Sequence, residues 1–326
     1  MTKLVNFNSG YNPEKYQIVK YSSEYKEAWD NLVKMSCVSH FLFYRNYMDY
    51  HSDRFLDHSL LVYDNDEKLV ALFPANETEL AVISHGGLTF GGLLYGNKLK
   101  TPNVIDIFYS IIDYYRNNDI KKIIYKPSPW TYHVIPAEAD LYCMNIFGFK
   151  IKERHLASSI DFQSKIPLAG GRKNQIQKAK KNNVLIQESE DWDSFVMLLA
   201  DILQSRHNAI PVHSAAELRL LKHRFPDNIK LLTAKRDNEL LAGIVLYITS
   251  TAVHTQYLAS SDEGLALGAL DILIKYAMDM YEQSKKYFCF GISTETNGKI
   301  LNVGLLYQKE SFGARAVVHD VWELEL

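Results

Sequence analysis

Cysteine is scarce in this sequence, and the little that is present excludes two kinds of site. The chain has only three cysteines, Cys37, Cys143 and Cys289, which are far apart and odd in number. There is no CxxC pair or Cys/His cluster to suggest zinc, and no disulfide framework is visible. The sequence therefore predicts no metal site and favours a reducing, cytoplasmic location.

An excess of charge of one sign and long hydrophobic runs are also missing. The formal net charge is −2 at pH 7, which argues against the strongly basic surface of duplex-binding proteins. The longest nearly apolar run, residues 240–253, is too short to cross a bilayer as a helix, and the N-terminus lacks the apolar segment of a secretory signal. We therefore expect a globular protein with no duplex DNA partner and no membrane span.

What is present is a twofold repetition of features, from about residue 17 to 162 and from about residue 184 to the end. Each half has two helical segments, a hairpin with a charged turn, a long helix followed by Lys-Lys, and a short apolar strand. The offset between matched features is roughly 165 to 171 residues throughout, as a duplicated unit requires. The order α-α-β-β-β-α-β-α-β predicts an α/β (α+β) fold, with a mixed central sheet flanked by helices in each half.

The seam between the halves is basic and helix-like. It reads PLAGGRKNQIQKAKKNNVLI over residues 167–186. Two asparagines, Asn182 and Asn183, are typical of a helix end, so a helix followed by a strand is predicted there. We place the domain boundary at this seam, giving a first domain of residues 1–165 and a second of residues 166–326.

The element order resembles the GNAT acyltransferase fold, and two such units joined by a basic helix resemble the FemAB-type group of aminoacyl and acyl transferases. The seam is similar to that group's R-x-x-I-x-K-A-x-K-x-G-V pattern. The stretch HTQYLASSDE resembles its strand carrying His or Tyr, and YFCFGIST with GLLYQKESFGA resembles its D-F-G…G-L…F-K-x-x-F-G ending. Cys289 replaces the usual acid of that ending, and Asn183 replaces the usual glycine of the seam.

The resemblance implies transfer of an acyl or aminoacyl group to an amine of a cell-envelope precursor or a related small molecule. It implies acyl-CoA or aminoacyl-tRNA as the donor, no metal, and a small-molecule or nucleotide-linked acceptor, with the tRNA acceptor end as a further partner. Two alternatives stay open. One is an acetyl-CoA-dependent N-acetyltransferase in which only the C-terminal half is active, and the other is a catalytically inactive binding protein on the same fold.

A glycine-containing turn before the last long helix bears on the donor. The pyrophosphate pattern of acetyl-CoA-dependent GNAT enzymes, R/Q-x-x-G-x-G/A, is reduced here to Leu265-x-x-Gly268-x-Leu270. A helix N-terminus can hold a phosphate, but Asp262 and Glu263 lie where the phosphate would be and suit the first turn of a helix better. We expect this turn to be structural, with a CoA diphosphate site as the alternative.

The candidate catalytic residues are His254, Tyr257 and Lys309. Acyl transfer to an amine needs a proton acceptor, an oxyanion donor and a proton source. His254 is a candidate general base, and the alternative is a buried histidine with a backbone partner. Tyr257 is a candidate proton donor, and the alternative is an aromatic side chain at the edge of the core. Lys309 is expected to pair with a substrate carboxylate or phosphate, or to be solvated. Strand alternation places His254 with Gln256 on one face, and Thr255 with Tyr257 on the other.

The candidate substrate-binding residues have polar or cationic side chains near the seam or near strand ends: Arg172, Lys173, Lys180, Arg206, Gln256 and Ser293. Arg172, Lys173 and Lys180 share a broad helix face. They are expected to bind phosphates of a nucleotide-linked sugar, a tRNA acceptor stem or a lipid diphosphate, with a solvated face as the alternative. Arg206 precedes a loop that commonly covers the acyl site in this fold, and the alternative for Ser293 is a loop hydroxyl.

Overall fold

The computed structural model describes residues 15–326, apart from the side chains of residues 206 and 207. The chain divides into two compact units. Of the described residues, unit 1 comprises 15–155, Asn297–Lys299 and Val318–Leu326, and unit 2 comprises Leu156–Thr296 and Ile300–Val317. The predicted boundary between residues 165 and 166 stays a prediction.

Unit 1 follows the predicted order, with its third strand broken into short pieces. Its elements are β1 (Tyr16–Lys20), α1 (Lys26–Met35), α2 (Arg45–Met48), β2 (Leu56–Asp57), β3 (Leu60–Asp64), β4 (Leu69–Phe73), β5 (Asn76–Thr78), β6 (Ala81–Ile83), β7 (Leu94–Tyr95), α3 (Thr101–Asn117), β8 (Lys122–Tyr125), α4 (Ala139–Ile146) and the start of β9 (Lys150–Asp161).

The strands of unit 1 form one antiparallel sheet and one mixed sheet. The antiparallel sheet has the order β1-β3-β4-β7. In the mixed sheet, β6 pairs with β8 in parallel and with β5 antiparallel. The second helical segment expected in the first half covers residues 47–55. In the structure, residues 47 and 48 end the short α2, and a single 3₁₀ turn follows at residues 49–51. The aromatic side chains of residues 47–55 pack with the loop after β6, and this tertiary packing overrides local helix propensity.

Unit 2 reproduces the order predicted for the second half. Its elements are the end of β9, α5 (Gly170–Lys181), β10 (Leu185–Ser189), α6 (Trp192–His207), α7 (Ala215–Arg224), β11 (Ile229–Arg236), β12 (Glu239–Ile248), β13 (Ala252–Ser260), α8 (Asp262–Leu267), α9 (Ala269–Tyr281), β14 (Tyr287–Phe290), β15 (Thr294–Glu295), β16 (Ile300–Leu301), α10 (Val303–Ser311) and the start of β17 (Arg315–Glu325).

The central sheet of unit 2 has the order β10-β11-β12-β13-β14-β9. All its pairs are antiparallel except β13 with β14, which are parallel. The sheet is therefore mixed, as predicted, and the α/β fold class is confirmed. In the part of the chain that the structure describes, no helix is both long enough and apolar enough to span a bilayer.

The two faces of this sheet are covered by different helices. The apolar face of α9 packs with α5 on one side of the sheet, over a cluster that includes Leu246, Leu273 and Phe288. On the other side, a Cβ added at Gly243 would lie 2.4 Å from the Phe195 ring of α6. Since side chains alternate between the two faces along β12, Val245 and Tyr247 lie on the same face as Gly243, the face covered by α6.

Candidate active site

A gap between parallel strands opens at the carboxyl end of the sheet in unit 2. Strand β13 pairs with β14 only over Ala252–His254, opposite Tyr287–Cys289. Strand β13 then continues to Ser260 without this partner. Ligands of open α/β sheets bind beyond the carboxyl ends of such strands, so the groups around this gap are the candidate site.

A β-bulge changes which side chains of β13 share a face. His254 lies opposite Tyr247 and Tyr257 lies opposite Val245, whereas Gln256 has no partner in β12. Residues directly opposite each other in an antiparallel pair project to the same face. His254 and Tyr257 therefore both face α6, and the predicted alternation was wrong because it assumed a regular strand. Bulges are frequent beside active sites, where they redirect a side chain.

The hydroxyl of Tyr257 is bound to a histidine that sequence reasoning did not select. Tyr257 Oη and His213 Nδ1 are hydrogen-bonded at 2.5 Å, and His213 is buried. His213 directly precedes Ser214, the N-cap of α7, which forms a capping box with Glu217. The capping box fixes the end of the α6–α7 loop, and with it the position of the imidazole. The Ser-x-x-Glu pattern was the one signal in the sequence that could have drawn attention to this loop end.

His254 lies in a row of polar groups that crosses three strands. It is buried and opposite Cys289 in the parallel register. Cys289 is in turn opposite Ser159 of β9, whose hydroxyl donates to the sulfur over 3.1 Å. The row places His254 beside the gap, on the face that also carries Tyr257.

The amine of Lys309 is enclosed at the end of β14. Its Nζ donates to the carbonyl oxygens of Gly291 at 2.5 Å and Ile292 at 2.7 Å, and to the Ser293 hydroxyl at 2.8 Å. The side chain is 5% exposed, and burial lowers the pKa of Lys309 to about 8. Among residues 15–326, no carboxylate forms an ion pair with this amine. The predicted solvated alternative for Lys309 is wrong.

Ser293 is held in place by backbone contacts as well as by the lysine. Its N–H donates to the Leu156 carbonyl at 2.6 Å, and its carbonyl accepts from Asn302 N at 2.9 Å. Asn302 also caps α10 by accepting from the Leu305 N–H. The cap fixes the start of the helix that carries Lys309, so Ser293 and Lys309 are brought together as a rigid pair.

The basic seam forms α5, and its cations divide into two kinds. Arg172 is tied into the fold, since Nη1 donates to Asp271 at 2.6 Å and Nε donates to the Ser311 hydroxyl at 2.7 Å. The lysines of the helix are exposed, and in the described part of the chain none of them forms an ion pair: Lys173, Lys178, Lys180 and Lys181. Phosphate binding by Lys173 and Lys180 stays a prediction, and the contacts of Arg172 are intramolecular.

The remaining predicted residues are placed as follows. Gln256 is half-buried at the bulge. The side chain of Arg206 lies outside the described residues. Within the described residues, no group of three or more His, Cys, Asp or Glu side chains is arranged to hold a metal ion. The groups around the gap that can take part in proton transfer or hydrogen bonding are an amine, a phenol, two imidazoles, a thiol, hydroxyls and backbone groups.

The turn after β13 is packed against the chain itself. A Cβ on Gly264 would lie 2.2 Å from the Leu241 carbonyl oxygen, and one on Gly268 would lie 2.4 Å from that of Gln175. Gly268 also has a φ of 74°, which favours glycine. Glu263 pairs with Arg236. These contacts give both glycines a structural reason that needs no phosphate.

Comparison with solved structures finds the same arrangement over nearly the whole chain. FemX is 11% identical with a TM-score of 0.67, covering 95% of this chain and 97% of that one. L-PGS from Bacillus licheniformis is 12% identical with a TM-score of 0.59, covering 94% and 92%. A tandem GNAT protein from the clavulanic acid biosynthesis pathway is 9% identical with a TM-score of 0.51, covering 95% and 98%. No protein-family model and no curated protein sequence matches the chain.

Proposed function

We propose that this chain, which has the FemAB-like fold of two tandem GNAT units, transfers an acyl or aminoacyl group to an amine. The observation that carries the proposal is the hydrogen bond between Tyr257 and His213 beside the gap between β13 and β14. The buried amine of Lys309 lies at the end of β14, the other strand of that gap. A phenol bound to an imidazole supplies proton transfer, and a protonated amine supplies stabilisation of an oxyanion.

The proton transfers run through the pair of Tyr257 and His213. The acceptor amine attacks the acyl carbon, a C–N bond forms, and the amine loses a proton. That proton passes to the phenol oxygen of Tyr257 as the tyrosine proton moves to His213 Nδ1. When the C–O or C–S bond to the donor breaks, Tyr257 protonates the leaving atom and His213 returns the proton to the tyrosine. The protons balance, and no further reactant is required.

Lys309 acts on the negative charge that develops on the acyl oxygen. At neutral pH a lysine with a pKa of about 8 is still mostly protonated. Its three N–H groups are engaged by oxygens of the chain, so a substrate oxygen must replace one of them. The Ser293 hydroxyl is the one side-chain partner, and a rotation about its side chain frees both the lysine donor and the hydroxyl. His254 and Gln256 line the same stretch of β13 and contact the acceptor.

The exposed lysines of α5 serve as an electrostatic site for phosphates. Lys173 and Lys180 are two helical turns apart and therefore on one face. We assign to them the phosphates of a nucleotide-linked envelope precursor or of a tRNA acceptor end. The packed turn after β13 favours an aminoacyl-tRNA donor over acyl-CoA, because the backbone of that turn is already covered by β12 and α5.

The test measures transfer from aminoacyl-tRNA and from acetyl-CoA to a set of amine acceptors that includes peptide-bearing nucleotide sugars. For Lys309→Met, we expect a fall in kcat of about 100- to 1000-fold, the typical effect of losing an oxyanion donor. Lys275→Met is the matched control, since this half-buried lysine pairs with Asp279 of its own helix, and it should leave kcat unchanged.

The outcomes separate the alternatives. Activity with aminoacyl-tRNA that depends on Lys309 supports the proposal. Saturable CoA binding that disappears in Gly268→Glu, together with turnover of acetyl-CoA, would replace it with an ordinary N-acetyltransferase. A folded protein that binds acceptors but transfers no acyl group from any donor would replace it with a binding protein.

A further inference from the structure

Unit 1 has a polar cluster of its own at the carboxyl ends of a parallel strand pair. Strands β6 and β8 are parallel, with Ile83 opposite Ile124. The loops that follow them, residues 84–92 and 126–133, are bonded to each other. Lys126 N donates to the Ser84 hydroxyl at 2.7 Å, and Gly91 N donates to the Lys126 carbonyl at 2.8 Å. This is the position at which open sheets bind ligands.

The centre of this cluster is the amine of Lys126. Its Nζ donates to the Leu88 carbonyl at 2.6 Å. Within residues 15–326 no acidic side chain forms an ion pair with it, and Glu153, the acid whose charge acts on it, is bound to His155 at 3.1 Å. Burial lowers the pKa of Lys126 to about 8. The loops therefore hold a half-buried positive charge that no carboxylate contacts directly among residues 15–326, an arrangement that costs free energy in the absence of a ligand.

Buried polar atoms of the same two loops have no hydrogen-bond partner in the chain. These are the Nδ1 of His85, which is 2% exposed, the hydroxyl of Ser128, which is 8% exposed, and the Nδ1 of His133, which is 8% exposed. His85 also has a φ of 58°, a conformation that non-glycine residues rarely adopt and that recurs at functional sites. Such orphaned groups are rare in native proteins and point to a missing ligand or water.

The charges of the surrounding groups indicate the sign of that ligand. Burial, with the nearby charges of His51, Lys126 and Arg45, lowers the pKa of His85 to about 3, so its imidazole is neutral at pH 7. Arg45 is compensated by Asp49 and Asp57. Within the two loops, the charge to be balanced is therefore the single positive charge of Lys126. A monoanion balances it, whereas a dianionic phosphate would leave a buried excess of negative charge.

We propose that the loops at residues 84–92 and 126–133 form a binding site for the carboxylate of a small molecule, with Lys126, His85 and Ser128 as its polar contacts. The site lies entirely within unit 1 and involves none of the groups assigned to acyl transfer. This proposal does not depend on the proposed function, and its test measures binding without catalysis.

The experiment measures binding of N-acetylglycine to the full chain by calorimetry, with N-acetylglycinamide as a neutral analogue of the same shape. We expect saturable binding of the carboxylate and none of the amide. Lys126→Met should weaken binding about tenfold or more, as expected for loss of a charge-assisted hydrogen bond. Lys98→Met, at an exposed lysine of the same unit, should bind as the wild type does.

A second variant keeps the test decisive if Lys126→Met fails to fold. Ser128→Ala removes an orphaned hydroxyl, so it should raise the melting temperature of the ligand-free protein and weaken N-acetylglycine binding. Equal binding of carboxylate and amide, tighter binding of inorganic phosphate than of N-acetylglycine, or no binding of either would overturn the proposal. In the last case the two loops are packed for stability alone.

Discussion

The buried amine of Lys309 makes the stability of the protein depend on pH in a calculable way. Its pKa is about 8 in the folded protein, against 10.5 for an ordinary lysine. Between these values the unfolded chain binds more protons than the folded protein, so the free energy of unfolding rises with pH. For this one group the gain between pH 7 and pH 9.5 is about 2 kcal/mol.

The assay is urea unfolding of the wild type and of Lys309→Met at both pH values. Other groups with a shifted pKa, Lys126 among them, contribute equally to both proteins and cancel in the comparison. We expect the wild type to gain about 2 kcal/mol more than Lys309→Met, and Lys275→Met to behave as the wild type. If the two curves rise in parallel, the amine is not buried as a charged group, and its assignment as an oxyanion donor loses its physical basis.

The other predictions concern the turn after β13 and helix α5. Gly264→Ala should lower the free energy of unfolding by about 1–3 kcal/mol, because its Cβ would collide with a carbonyl oxygen of β12; an unchanged urea midpoint would contradict this contact. Arg172→Met should cost about 1–3 kcal/mol by leaving the carboxylate of Asp271 unpaired, and Asp271→Asn in the same background should recover part of the loss. In the double variant Lys173→Ser and Lys180→Ser, the logarithm of the binding constant for tRNA or a nucleotide sugar should fall less steeply with the logarithm of salt concentration, by about two released counterions. An equal loss of affinity at all salt concentrations would indicate a fold defect instead.

The element order of unit 2 could be predicted because its signals are local and strong. The hairpin turn KRDNE, the apolar period of α9 and the asparagines that end α5 each specify their own element. Because matched features of the two halves are separated by a nearly constant number of residues, the same element order could be predicted for unit 1. Where a segment depends on distant partners the prediction failed, as for residues 47–55, whose aromatic side chains pack with the loop after β6.

The site was predicted less completely, for two physical reasons. A bulge inserts one residue and reverses the face of every later side chain in the strand, and nothing in HTQYLASSDE marks Gln256 as that residue. His213 lies in a loop, where no period indicates the direction of a side chain, and its contact with Tyr257 spans 44 positions of the chain. Lys309 was selected through the family resemblance, but its three oxygen partners follow from tertiary structure alone.

The central claim is that Tyr257 and His213 carry the proton in an acyl transfer at the gap between β13 and β14. It is tested most directly by the single-turnover rate of aminoacyl transfer from aminoacyl-tRNA to an amine acceptor. Tyr257→Phe should lower this rate about 100-fold or more, while Tyr276→Phe, at an exposed tyrosine of α9, should leave it unchanged. A Tyr257→Phe protein that transfers the aminoacyl group as fast as the wild type would contradict the claim.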